Sequence, residues 1–309
     1  DVSVFDIFGP LAQGGRLVLV ENFLRLADLD ASAGVRLVST VPSAMTSFLS
    51  AESMPSSVSL AFIAGEPLSE ALVERIYSET AVKRVYDLYG PTECTVYSTG
   101  SHRQPGDIAN IGHPLANTGV YILDRWLHPV PTGTLGEIYL SGANVAQGYF
   151  GRPAHTAERF IPDPFRGQGE RMYRTGDLGR FLPDGKIQFS GRSDHQVKVR
   201  GYRIELGEVE DFLTRMPGVE RCLVTVRDTI EGHKQLVAYV SWRGDAMKVD
   251  ALRERMKQHL PHFMVPTHVV FLNEMPLHPN GKINRDALPP PGQQAPEVAG
   301  PLASYRARQ

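Results

Sequence analysis

Between residues 16 and 88 the chain alternates short apolar runs with amphipathic stretches, and few architectures accommodate that alternation. The runs at 16–20, 36–39, 60–64 and 83–88 read as strands. The stretches at 23–33, 42–49 and 69–79 between them read as helices. Pro42 suits a first helical turn, where its missing N–H costs nothing, and Ser69 ahead of Glu70 is a good N-cap. Strands separated by helices pair in parallel, so a doubly wound α/β sheet is expected.

The pattern then changes twice. From 108 to 191 it is β-rich: 120–123 and 137–140 are short strands, and Pro183-Asp184-Gly185 marks a hairpin between 180–182 and 186–189. From 195 to 288 an α+β unit is expected. Leu206, Val209, Leu213 and Met216 share one helix face, as do Val249, Leu252, Met256 and Leu260, and 222–226, 236–240 and 269–272 are strand-like. The fold class is therefore α/β: a partial doubly wound α/β core (1–107), a small β-rich subdomain (108–193), and a small C-terminal α+β domain (194–288). The tail 289–309, rich in Pro, Ala and Gln, reads as a linker or a disordered tail.

Charge and cysteine usage narrow the function classes. Lys+Arg 32 against Asp+Glu 34 gives a net charge of -2, without the basic excess that nucleic-acid or membrane-surface binding calls for. The two cysteines, Cys94 and Cys222, lie far apart with no metal-ligand spacing, which argues for a reducing cytoplasm rather than a disulfide scaffold. The ten histidines form no H-E-x-x-H pair, so a protein-held zinc is not expected.

In an open parallel sheet, ligands bind beyond the carboxyl ends of the strands, and the informative residues fall there. Thr40, Gly65 and the loop Tyr89-Gly90-Pro91-Thr92-Glu93 each follow a candidate strand. In that loop Tyr89 offers a flat face for an aromatic base, Thr92 a hydroxyl for a phosphate oxygen, and Glu93 a hard oxygen for Mg2+. Taken alone, the loop reads equally as a Gly-Pro turn with a helix cap. Further on, Asp177 after a Gly-containing turn suits the paired hydroxyls of a ribose. Arg192 and Asp194 lie in a charged, glycine-rich junction, and Asn280-Gly281-Lys282 is a turn whose lysine could neutralise a carboxylate and a phosphate. Each of these, in isolation, is also an ordinary surface turn.

Taken in order, the motifs resemble the adenylation domains of nonribosomal peptide synthetases, in the adenylate-forming superfamily that includes acyl-CoA ligases. They are DVSVFDIFGPL from Asp1, YGPTE from Tyr89, GEIYLSGANVAQGYFGRPAHTAERF from Gly136 and YRTGDL from Tyr173. GRSDHQVKVRGYRIELGEVE from Gly191, the 260–266 segment and NGKINR from Asn280 complete the set. The resemblance runs from Asp1 to about Leu288 and favours the amino-acid branch, mainly through RIELGEVE and GYFGRPAHTAERF.

That resemblance implies ATP and Mg2+ as cofactors, an amino-acid substrate, and a peptidyl carrier protein whose phosphopantetheine thiol takes the product. It implies no nucleic-acid or membrane partner. It assigns Asp1 to the substrate α-ammonium and Tyr89 to adenine, with Gly65, Asp87 and Gly90 around the nucleotide. Thr92 and Glu93 serve the phosphates and Mg2+, Asp177 with Arg192 the ribose, and Asp194 a hinge. Lys282 serves the carboxylate and adenylate, and the loop around Gly201 the thioester-forming orientation. Val2, Phe5, Thr40, Phe62, Ala64, Leu88, Val96 and Tyr97 would line the side-chain pocket; none is ionisable near neutral pH, so an uncharged apolar or aromatic amino acid is expected. Asp87 stands where the family usually has asparagine, and Asn284 where it usually has aspartate. The family's Ser/Thr/Gly-rich phosphate loop lies upstream of the motif at Asp1, so the resemblance makes the chain a partial adenylation domain. An acyl- or aryl-CoA ligase, or an inactive remnant, is the alternative.

Overall fold

The computed structural model describes residues 1–167, 169–194, 196–228, 234–242, 249–278 and 282–291. The chain divides into two compact units, Asp1–Asp194 and His195–Gln309.

Unit one opens with α1 (Val2–Ala12), a helix the periodicity did not single out, capped by the Asp1 side chain accepting from the Val2 N–H. The expected strand at 16–20 and helix at 23–33 did not form. Residues 15–20 have no regular structure, and 23–33 breaks into two short 3-10 turns, Phe23–Asp28 and Ala31–Ala33. A strand needs a ladder partner, and among the described residues none pairs with 16–20; Leu19 is 80% exposed. Next come β1 (Leu37–Thr40), α2 (Pro42–Ala51), β2 (Leu60–Ala64), α3 (Glu70–Glu79) and β3 (Arg84–Tyr89), with Pro42 in the first turn of α2 and Ser69 capping α3 through the Leu72 N–H.

The three strands pair in parallel in chain order. Both crossover helices bury their apolar faces on one side of the sheet, where Met45, Phe48, Val73 and Ile76 meet Ala61, Ile63 and Val85. On the other face, Phe5 of α1 packs against Phe62, ring centroids 5.9 Å apart, and edge-on against Tyr97 at 5.2 Å. Helices on both faces make the sheet doubly wound. Two antiparallel strands, β4 (Thr99–Arg103) and β5 (His113–Pro114), extend it beyond β3.

An antiparallel sheet follows, formed by β6 (Thr118–Leu123), β7 (Gly136–Gly142), β9 (Arg171–Phe181) and β10 (Ile187–Arg192) in the order β10-β9-β7-β6. The short helix α4 (Pro153–Arg159) leads into β8 (Phe160–Pro162), which pairs with β9. The Pro-Asp-Gly turn joins β9 to β10 as its composition predicts.

Unit two begins with a hairpin, β11 (Gln196–Val199) and β12 (Tyr202–Glu205), whose two turn residues Arg200 and Gly201 both have positive φ. That backbone matches the twist of the strands it joins. α5 (Leu206–Thr214) and α6 (Val249–His259) pack Val209, Leu213, Leu252 and Met256 onto a sheet of β13 (Val219–Asp228), β14 (Lys234–Trp242) and β15 (His268–Leu272).

One buried ion pair stands out in the first sheet. Arg103 on β4 is fully buried and donates to Asp87 on β3 at 3.0 Å, with longer bonds to the carbonyls of Leu68 and Asp107 at 3.4 Å. Removing one partner leaves a buried charge uncompensated, a change that typically costs about 3–5 kcal/mol. Arg103→Ala is therefore expected to lower the urea-unfolding free energy of unit one by about that amount, and Asp87→Asn/Arg103→Met to recover much of it.

Candidate active site

The parallel strands deliver their carboxyl ends to one edge of unit one, and β9 and β10 bring a second group of side chains to it. Tyr89, the last residue of β3, donates its hydroxyl to Asp177 Oδ2 at 2.5 Å, and both residues are buried. Burial, then the neighbouring Asp177 charge, pushes the Tyr89 phenol well above its ordinary value, so it stays a donor. Arg192 Nη1 donates to the other oxygen of Asp177 at 2.6 Å. The same guanidinium grips Asp194 with two bonds, Nε to Oδ1 at 2.7 Å and Nη2 to Oδ2 at 2.8 Å.

Thr175 orders the turn beneath this group. Its hydroxyl donates to the Ile138 carbonyl at 2.7 Å and accepts from the Asp177 N–H at 2.9 Å. Gly176 has φ +76, and a Cβ there would lie 2.6 Å from Asp194 Oδ2 and 2.9 Å from Arg192 Nη2. Glycine is required both for the left-handed backbone and for the approach of the two charged side chains. Along the sequence Asp177, Arg192 and Asp194 read as separate residues; the structure joins them with Tyr89 in one network.

The loop after Tyr89 is equally constrained. A Cβ on Gly90 would sit 2.4 Å from the Val96 carbonyl oxygen. Thr92–Cys94 forms a 3-10 turn, and Thr95 and Val96 follow with φ 53° and 73°. Left-handed backbone is rare for β-branched residues. It is held from outside by the segment after β7: the Ala146 N–H donates to the Glu93 carbonyl at 2.9 Å, Thr95 Oγ1 to the Asn144 carbonyl at 2.8 Å, and Asn144 Nδ2 to the Cys94 carbonyl at 3.1 Å. Cys94 is fully buried and its thiol is pushed up to about 12 by burial and then by Glu93, which fits a packing residue. Thr92 is exposed and Glu93 half-buried. A single carboxylate on this turn would fit Mg2+, which usually takes one or two protein carboxylates and completes its shell from phosphates and water. Among the described residues no group of three or more His, Cys, Asp or Glu could hold a metal without such a ligand.

Of the expected side-chain pocket, Ala64, Leu88, Val96 and Tyr97 form one apolar cluster with Phe62 against it, and Phe5 reaches it from α1. Val2 is exposed on α1 and Thr40 ends β1 beside Ile63. Asp1 is exposed, at the N-terminus of α1. Gly65 takes φ +87 in the loop after β2, while Asp87 turns its carboxylate to Arg103. Near the cluster lies a cavity of about 870 Å³ lined by Phe5, Asp6, Ser39 and Phe62 among others. Asp6 is an ionisable neighbour absent from the expected set, and only its place on α1, one turn from Val2, could have signalled it.

In unit two, Lys282 is exposed, on a short bridge in which its carbonyl accepts from the His278 N–H at 2.7 Å and Ile283 pairs with Leu277. Asn280 and Gly281 lie outside the described residues. Asn284 caps the following turn by accepting from the Asp286 N–H at 3.2 Å, which a neutral amide does as well as a carboxylate.

Comparisons with known proteins place the chain in a family. The AMP-binding enzyme family matches residues 1–150, and the AMP-binding enzyme C-terminal domain matches residues 208–282. A linear gramicidin synthase of Brevibacillus parabrevis is 48% identical over 294 residues, which is 94% of this chain and 6% of that protein. The solved structure of holo-PA1221, a nonribosomal peptide synthetase protein with adenylation and carrier domains bound to a vinylsulfonamide inhibitor, superposes with TM-score 0.82 at 30% identity, covering 93% of this chain and 51% of that one. That of holo-AB3403, a four-domain nonribosomal peptide synthetase bound to AMP and glycine, gives TM-score 0.59 at 32% identity, covering 99% of this chain and 23% of that one. The chain belongs to the AMP-binding enzyme family, in the branch of nonribosomal peptide synthetase adenylation domains. It spans a small part of the length of the curated relatives it matches. Among the described residues no helix is long and apolar enough to cross a membrane.

The half-buried Asp6 yields a pH test. Burial raises its carboxyl above the ordinary 3.8, and a hydrogen bond with Ser39 offsets this in part. The folded chain thus holds this proton more tightly than the unfolded one, so stability falls as pH rises through the raised value. Asp6→Asn should stabilise the chain at pH 7, and the gain should vanish as pH falls to the ordinary aspartate value; urea midpoints at the two pH values check this.

Proposed function

We propose that this chain forms part of an enzyme that activates an amino acid with ATP and passes it to a carrier protein. In the first step a carboxylate oxygen of the amino acid attacks the α-phosphorus of Mg·ATP; the bond to the β-phosphate breaks, and pyrophosphate leaves. In the second, a phosphopantetheine thiol, losing its proton, attacks the activated carbonyl and releases AMP. The observation that carries this reading is the buried Tyr89–Asp177–Arg192 network at the carboxyl edge of the parallel sheet, where ligands bind in such folds. The synthetase relatives support the amino-acid branch.

In this reading Tyr89 faces the adenine and Asp177, aided by Arg192, the ribose. Thr92 and Glu93 serve the phosphates and Mg2+, with Gly65, Asp87 and Gly90 around the nucleotide. Asp1 pairs with the α-ammonium, and the cluster of Phe62, Ala64, Leu88, Val96 and Tyr97 with Phe5 receives an uncharged apolar or aromatic side chain. Val2 and Thr40 border that pocket. Asp194 closes unit one and is the hinge. Lys282, on the second unit, neutralises the carboxylate and α-phosphate, and the Gly201 turn serves thioester formation. The protein contributes position and charge rather than covalent chemistry.

ATP–pyrophosphate exchange by the full-length protein over a panel of amino acids tests the reading. Exchange dependent on one apolar or aromatic amino acid supports it, and a strong preference for lysine, arginine, aspartate or glutamate overturns the pocket assignment. In the same assay Lys282→Ala should slow adenylation by about 10²-fold or more, as loss of a preorganised charge stabiliser does. Its exposed position predicts an unchanged unfolding midpoint.

A further inference from the structure

Glu93 is the carboxylate assigned above to Mg2+, and the structure shows what aims it. Tyr149 donates its hydroxyl to Glu93 Oε1 at 2.6 Å, across 56 residues of sequence. The tyrosine is itself fixed. Its ring packs edge-on against Phe160, centroids 5.4 Å apart, and its N–H donates to Thr156 Oγ1 at 2.9 Å. Thr156 in turn presses against Gly148, where φ is +141 and a Cβ would lie 2.4 Å from the threonine methyl. Tyr173 contributes a second hydroxyl 3.4 Å from that of Tyr149. The same segment, through Ala146, bonds the Glu93 carbonyl. Main chain and side chain of Glu93 are thus both held by the β7–α4 connection.

We infer that Tyr149 is a positioning residue for the metal-binding carboxylate. By engaging Oε1 it fixes the orientation in which the carboxylate meets the cation that accompanies ATP. This assignment rests on the proposed ATP-dependent function. A hydrogen-bond partner that orients a ligand carboxylate typically changes metal affinity by 10–100-fold when removed. Tyr149→Phe deletes only the hydroxyl and leaves the ring packing on Phe160 in place.

The test is calorimetric binding of ATP to the full-length protein at increasing magnesium chloride, for wild type, Tyr149→Phe and Glu93→Gln, with thermal unfolding of each. The expected result is that magnesium tightens ATP binding to wild type and that Glu93→Gln loses most of the effect. Tyr149→Phe should need roughly tenfold more magnesium for the same tightening, with magnesium-free ATP binding unchanged and the unfolding midpoint lowered only by the lost hydroxyl–carboxylate bond. A role in packing alone would shift the midpoint or magnesium-free binding and leave the magnesium dependence where it was, and that outcome overturns the inference while the ATP reading stands. Absence of magnesium-linked ATP binding in wild type overturns both.

Discussion

A carboxylate withdrawn from water costs several kcal/mol unless its lone pairs are met, and the first unit is arranged around meeting those of Asp177. Tyr89 arrives from the end of a parallel strand, Arg192 from the end of an antiparallel one, and the Thr175 hydroxyl fixes the backbone between them. Two sheets of different origin therefore share one acid. The network joins the α/β part of the core to the β-rich part at the carboxyl edge of the parallel strands, so its geometry depends on how both sheets are registered.

Much of this was legible in the sequence, for identifiable reasons. The β2 strand and helices α2 and α3 announce themselves because their apolar spacing and capping residues act locally: Pro42 and Ser69 sit where helix chemistry puts them. The strand expected at 16–20 failed because pairing is not local; an apolar run becomes a strand only when a neighbour offers a ladder. α1 was hidden because its apolar residues run nearly all round, so no single face stands out.

The site was legible as a set of residues but not as a connected object. Glu93, Asp177, Arg192 and Asp194 were each visible as charges in glycine-rich turns. That Arg192 bonds two of the others was not, because spacing along the chain carries no information about convergence across β9 and β10. Asp87 read as a departure from the family pattern, and its buried partner Arg103 sits 16 residues away, on the neighbouring strand. Tyr149 lay within a recognised motif, yet nothing in that motif says which acid its hydroxyl meets.

Val96 belongs at once to the apolar cluster beside Tyr97 and to the left-handed backbone that follows the 3-10 turn. Its side chain and its main chain thus answer to different demands. Exchanging it to reshape the space available to a substrate also alters the torsional strain of the loop bearing Glu93, and a glycine there would relax what valine keeps tense. Under the proposed function, selectivity and metal geometry are mechanically tied at this one position, so tailoring the proposed pocket is safer at Leu88 or Phe62, whose backbones lie in regular strands.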